Sequence, residues 1–323
     1  LPKNQPELKL ISLEDVVVEP VRWLWYPYIP LGKLTILHGD PCEGKTTLAL
    51  WIAAACSRGQ ALPGGESGEP LTVLYQTAED GLGDTIKPRL LESKADLHHI
   101  YTIDETDFPL SMLDERIGEA IRDTHAKLMI LDPMQAYLGE KVDMNRANEV
   151  RTVMKGLTKV ANQTGCAIVL VGHLNKSQTA NSAQRGLGSM DFRAAARSVL
   201  LVGRLKQNRD IRVMVHDKSS LAPEGNSRAF SLENGTLHWQ EGYENLTADE
   251  LLSGRSQDSK LTLAEQLILD TLDKHPVVPA KEMYRLAEQA SISPRTLKEA
   301  KRNLTGYVES VRLANEWNWL RKE

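Results

Sequence analysis

The sequence predicts an α/β fold: a mostly parallel sheet with helices on both faces over residues 32–240, then a linker over 241–260 and a small helix-rich domain over 261–323. Three observations predict it. Gly39-Asp40-Pro41-Cys42-Glu43-Gly44-Lys45-Thr46 has the Gly-x-x-x-x-Gly-Lys-Thr spacing of a loop whose backbone wraps phosphates. Apolar runs alternate with helix-like stretches downstream of it, the pattern of a parallel sheet buried on two sides. After residue 240 periodicity fades and Gly, Ser, Asn and Asp accumulate before helical patterning resumes.

Residues 1–31 carry prolines and the cluster Trp23-Leu24-Trp25-Tyr26-Pro27-Tyr28, too short to fold alone and too apolar for a free tail, so the segment is expected to lie on the larger domain. Leu34 to Leu37 reads as the strand before the loop, and Thr47 to Ala55 as the helix that starts inside it. Further strands are expected at Leu71 to Tyr75, Leu128 to Leu131, Ala167 to Val171, Val199 to Val202 and Ile211 to Val215. Asn234-Gly235, between two short apolar runs, signals a hairpin, so the sheet should end in antiparallel strands.

Composition excludes several classes. The chain of 323 residues is 41% hydrophobic and 25% charged, within the ordinary globular range. No apolar run approaches the ~20 residues of a membrane helix. A formal charge of −4 gives no global attraction to nucleic acid, so any DNA contact must be local. The three cysteines, Cys42, Cys56 and Cys166, are scattered, which argues against a disulfide framework or a zinc site and fits a cytoplasmic protein. The chain begins with Leu1 rather than Met, leaving room for an upstream segment.

The loop points to ATP or GTP. Residues Gly39 through Thr47 would contact the nucleotide, with Lys45 directed at the β- and γ-phosphates and the Thr46 hydroxyl on Mg²⁺. Leu128-Met129-Ile130-Leu131-Asp132 is an apolar strand ending in a carboxylate, which would set Asp132 beside Thr46 as the second metal residue. Position 133 is Pro, so no Asp-Glu pair follows and the water-orienting carboxylate must come from elsewhere. Glu79, after the strand Leu71 to Tyr75, is the expected donor. Asp80 is the alternative, and the pair could instead cap the next helix.

These stretches, in this order, resemble the RecA-like, AAA-family P-loop ATPases, and within them the RepA-like group of hexameric replicative helicases of phages and mobile elements. The resemblance is carried by Pro30-Leu31-Gly32-Lys33, the phosphate loop, Ala78-Glu79-Asp80, Leu131-Asp132-Pro133, Thr164 to Val169, Gly172-His173-Leu174-Asn175-Lys176, Arg185-Gly186 and Ala196-Arg197-Ser198-Val199, spanning about residues 24 to 240. It implies an ATPase using ATP and Mg²⁺, assembled as a homo-hexamer. His173 would sense the γ-phosphate; a structural strand-end histidine is the alternative. Arg197 resembles the arginine finger that reaches a neighbour's ATP. Lys218 resembles a second cation offered across that boundary, with Arg212 and Arg228 as substitutes. Cys42 departs from the family, which usually has glycine there; a side chain at that point resists positive φ.

In such rings the loops 139–149 and 175–188 face the central channel, so Lys176 and Arg185 would track single-stranded DNA. Residues 261–323 read as three helices and a strand pair, resembling the winged helix-turn-helix appended to the same family. Leu263, Leu267, Ile268 and Leu272 mark the first apolar face; Met283, Leu286, Ala287 and Ala290 mark the second. The third helix, capped by Ser293 and opened by Pro294, is expected to face Arg295, Lys298, Lys301 and Arg302 outward, with Arg295, Lys298 and Arg302 presented to duplex DNA. The expected activity is that of a replicative DNA helicase or helicase loader, with a primase or other replication protein as a candidate partner. The alternative is a DNA-binding regulator whose nucleotide state controls assembly without unwinding.

Overall fold

A computed structural model describes residues 8–139, 142–144, 146–173, 190–233, 235–253, 257–290, 292–313 and 316–322. Its centre is strand β3 (Leu34–Gly39), every residue of which is buried. The other strands of the main sheet are β4 (Val73–Thr77), β5 (Ile100–Tyr101), β6 (Leu128–Asp132), β7 (Ala167–His173), β8 (Ser198–Arg204), β9 (Ile211–Ser219), β10 (Arg228–Glu233) and β11 (Thr236–Gln240). They lie in the order β11-β10-β9-β8-β3-β7-β6-β4-β5. Pairing is parallel from β8 across to β5 and antiparallel from β8 out to β11. β10 and β11 pair antiparallel as neighbours in sequence, with Glu233 opposite Thr236, while Asn234 lies outside the described residues.

The unbroken apolar runs are explained by cover on two faces. Along β6, Leu128 and Ile130 enter the cluster with Leu48 and Ile52 of helix α1 (Lys45–Ser57), while Met129 and Leu131 enter the opposite one. That second cluster holds Ile117 and Ile121 of α3 (Glu115–Thr124) and Val150, Val153 and Leu157 of α4 (Ala147–Thr164). Each fully buried Leu or Ile contributes roughly 1.5–3 kcal/mol, so both faces demand apolar residues at every strand position.

Only part of residues 1–31 behaves as expected. β1 (Trp23–Trp25) and β2 (Ile29–Pro30) pair with each other, and Trp25, Tyr28 and Ile29 are buried in the first cluster. The Tyr28 hydroxyl donates to the Asn226 carbonyl at 2.6 Å. Residues 8–20 are exposed instead, Val18 at 92%. The aromatic side chains bring enough apolar area to dock; the run before them has no facing surface.

The stretch 241–260 is not merely a linker. It contains helix α6 (Ala248–Ser253), with Ala248 and Leu251 buried against the outer strands. Thr247 and Glu250 close a reciprocal capping box: the Glu250 amide donates to the Thr247 hydroxyl oxygen, and the Thr247 amide to the Glu250 carboxylate. After it come α7 (Gln257–Lys274), β12 (Val277–Pro279), α8 (Ala280–Gln289), α9 (Pro294–Asn303), β13 (Val308–Leu313) and β14 (Glu316–Arg321), with the strands ordered β12-β14-β13. The short β12 is additional to the expected strand pair. Ala264, Ile268 and Leu272 are the buried stripe of α7, whereas Leu263 is exposed; on α8, Met283 and Ala287 are buried and Ala290 is not. The Ser293 hydroxyl accepts from the Thr296 amide, capping α9.

Buried His38, on β3 next to the phosphate loop, provides a pH test. Burial holds its pKa down at about 4; Asp217, 3.9 Å from Nε2, opposes this, while Arg193 and Lys45 reinforce it. Below pH 6.5 the unfolded chain takes up a proton that the folded chain refuses, so stability drops as the pH is lowered through that window. By pH 5 the loss from this residue is about 2 kcal/mol. Thermal melting of the wild type and His38→Gln between pH 7.5 and 5 should show a steeper decline for the wild type.

Candidate active site

The loop turns at two glycines for identifiable reasons. A Cβ on Gly39 would lie 2.0 Å from the Val202 carbonyl oxygen, so β8 excludes any side chain there. Gly44 has φ of 93°, which a residue with a Cβ resists. Helix α1 then starts at Lys45, aiming its first free amides back at the loop. The Lys45 ammonium is buried and donates to the carbonyl oxygens of Gly39 (3.0 Å) and Asp40 (2.7 Å). Burial lowers its pKa, against the pull of Asp132, Asp40 and Glu43.

Asp132, at the end of β6, is buried and accepts a hydrogen bond from the Tyr75 hydroxyl at 2.9 Å, with the Thr46 hydroxyl close enough to act on its pKa. Burial raises its pKa, while the two hydroxyls and the Lys45 charge oppose the rise. The carboxylate and hydroxyl, side by side, are the hard oxygen donors that Mg²⁺ takes, typically one or two per site with substrate phosphates and water completing the shell. Asp132 and Thr46 would hold the ion, which would supply positive charge to the phosphate oxygens. Tyr75 was not foreseen; its position two residues before Thr77, the register partner of Asp132, aims its ring along the same face of the sheet.

His173 ends β7 directly across from Gly39. Its pKa is lowered, first by burial and then by Lys45, with Glu79 and Asp132 acting in the other direction, so all four groups share one electrostatic neighbourhood. Its Nδ1 is buried with no hydrogen-bond partner among the described residues, as is Oε2 of Glu43 on the loop. The unpaired ring nitrogen of His173 fits a crevice made for a further polar group, whereas Oε2 of Glu43 lies 3.6 Å from Arg204 Nε. Glu79 is exposed just beyond β4, whereas Asp80 lies 3.7 Å from the Arg89 guanidinium.

Arg197 lies at the other end of the sheet. Its amide donates to the Leu34 carbonyl at 3.0 Å, at the start of β3, and its side chain is exposed. The phosphate loop leaves the far end of that strand, about 17 Å away at the usual rise per residue, beyond the reach of an arginine side chain in its own chain. The structure gives Lys218 another use: its ammonium donates to the carbonyls of Arg193 (2.7 Å) and Ala196 (2.9 Å), closing the C-terminal end of helix α5 (Met190–Ala195). Of its named substitutes, Arg228 Nε donates to the Tyr28 hydroxyl at 3.3 Å, and Arg212 lies against Gly44 of its own loop. Lys176 and Arg185 lie outside the described residues.

Arg295, Lys298 and Arg302 are exposed along α9, Arg302 with Glu299 3.9 Å away. Lys301 is turned inward instead, 4.5 Å from the Trp319 ring centroid. Among the described residues no helix is long and apolar enough to cross a membrane.

Residues 4–179, more than half of the chain, match the profile of the family described as AAA domain. The chain belongs to that AAA domain family. The AAA domain protein is 29% identical over 148 residues to the DNA repair protein RadA of Halalkalibacterium halodurans, covering 45% of this chain and 28% of the relative. It is 26% identical over 149 residues to the DNA repair protein RadA of Bacillus subtilis, with the same two coverages. The chain thus spans less than a third of the length of these curated relatives. Among solved structures it is similar to one described as an ATPase domain, at a TM-score of 0.50 and 15% identity over 65% of this chain and 85% of the other. That likeness shows the fold: a RecA-like P-loop α/β domain.

Proposed function

We propose that this AAA domain protein is a Mg²⁺-dependent ATPase that works as a ring on DNA, as a replicative helicase or helicase loader of a phage or mobile element. The observation that carries the reading is the division of charge along the sheet. Lys45, Asp132 with Thr46, and His173 converge at the ends of three adjacent strands, while Arg197 is exposed at the opposite end of β8. A site whose transition-state cation stands that far from its own phosphates is completed by a neighbouring copy.

In this reading Lys45 and the loop amides position the triphosphate, Glu79 orients the attacking water, and Arg197 of the next copy neutralises charge as the terminal phosphate leaves. His173, beside Glu79 and Lys45, carries news of the terminal phosphate toward the segment after β7. The RadA relatives are DNA repair proteins by name and the structural match is an ATPase domain by name, which supports a DNA-associated ATPase in the cytoplasm. The order α7-β12-α8-α9-β13-β14, with α9 bearing three exposed basic residues, supports a winged helix-turn-helix that contacts duplex DNA.

The test is ATP turnover per chain against protein concentration, with and without single-stranded DNA. Turnover should rise with both; a rate independent of concentration would remove the shared site, and one independent of DNA would remove the coupling. Changing Arg295, Lys298 and Arg302 together to Glu should weaken duplex binding at least about tenfold at fixed salt and leave turnover without DNA unchanged. Retained affinity would turn α9 into a protein-binding surface. Strand displacement separates the helicase from a regulator that binds both ligands without unwinding.

A further inference from the structure

The phosphate loop holds a residue that its own backbone disfavours. Cys42 has φ of 64°, the left-handed region that glycine adopts freely and residues with a Cβ resist. The other described non-glycine residues with positive φ, Lys94 and His125, stand where helices α2 (Lys87–Glu92) and α3 end, and helix termination accounts for them. No helix ends at Cys42.

What holds it is an arginine from the neighbouring strand. Arg204, the last residue of β8, donates from Nη2 to the Cys42 carbonyl oxygen at 2.7 Å, and its Nε lies 3.6 Å from Oε2 of Glu43. The two contacts bracket the peptide between residues 42 and 43, so they fix the direction of the Cys42 carbonyl and with it the turn of the loop. Arg204 is itself opposed in register by Arg212 of β9, whose side chain lies against Gly44: a Cβ there would be 2.9 Å from Arg212 Cδ.

We propose that Arg204 is a positioning residue for the nucleotide: its guanidinium holds the loop in the left-handed turn that Cys42 would otherwise leave. The inference rests on the reading of this loop as the nucleotide site. A loop that spends only a fraction of its time in the binding-ready form binds with an affinity reduced by that fraction. Arg204 therefore matters because position 42 is not glycine, and its importance should vanish when it is.

The test is titration of the full chain with a fluorescent ATP analogue, using the wild type, Cys42→Gly, Arg204→Gln, the double variant and Lys45→Ala. Arg204→Gln should weaken binding about tenfold, the equilibrium cost of a left-handed residue with a Cβ. Cys42→Gly should bind at least as tightly as the wild type, and the double variant within about threefold of Cys42→Gly. Turnover at saturating ATP should be unchanged by Arg204→Gln while KM rises. An equal loss in both backgrounds, or no loss from Arg204→Gln alone, overturns the proposal. Lys45→Ala binding as tightly as the wild type would instead remove the nucleotide-site reading. If Arg204→Gln does not fold, Arg204→Lys serves. It keeps the charge but not the fork that spans both oxygens, so a smaller loss, again rescued by Cys42→Gly, is expected, and an unrescued loss overturns the proposal.

Discussion

Replacing Arg197 with Ala should lower ATP turnover by about 10³-fold or more, the usual effect of losing an arginine finger, while nucleotide affinity stays within about threefold of the wild type. The split follows from position. Arg197 is anchored through its amide to Leu34 at the start of β3, and its own loop begins where that strand ends. Its removal leaves the cradle of Lys45 and the α1 amides untouched, so binding persists. A loss of 10³ corresponds to about 4 kcal/mol of transition-state stabilisation. Mixing the variant with Lys45→Ala protein supplies the decisive measurement: one partner brings an intact loop and the other an intact arginine. Mixed assemblies should regain part of the rate that each variant lacks alone. Wild-type turnover in Arg197→Ala, or no recovery on mixing, would assign the finger to another residue.

Glu79→Gln should be nearly as severe, lowering single-turnover hydrolysis by about 10²- to 10⁴-fold with ATP binding retained. Asp80→Asn should cost less than about tenfold. The two carboxylates are neighbours in sequence and both act on the site, Asp80 on Asp132 and Glu79 on His173, but Arg89 stands 3.7 Å from Asp80. A carboxylate tied to a guanidinium on the following helix is poorly placed to take a proton from water. Were Asp80→Asn the dead variant and Glu79→Gln the active one, the roles would be reversed.

Local chemistry explains what could be read in advance. The phosphate loop, the strand ending in Asp132 and the antiparallel pair β10 and β11 each depend on residues close in sequence, and all appear where expected. The cap of α9 by Ser293 is equally local. The capping box of α6 was just as local, yet polar composition around it suggested a linker; two buried residues, Ala248 and Leu251, were enough to dock the helix. Leu263 and Ala264 sit one position apart on α7, and which of them was buried depended on how the helix turned against α9.

By itself the sequence determined the sheet, the loop and the chemical types at the site, because apolar periodicity and phosphate-binding turns are written in neighbouring residues. Only the tertiary structure decided which distant side chains meet: Tyr75 on Asp132, Lys218 on the end of α5, Arg204 on Cys42. Those pairings depend on strand order and register, and a shift of one residue would turn each side chain to the opposite face. The parallel run of β8 beside β3 also set Arg197 at the end of that strand opposite its own phosphate loop, a distance that a linear chain does not record.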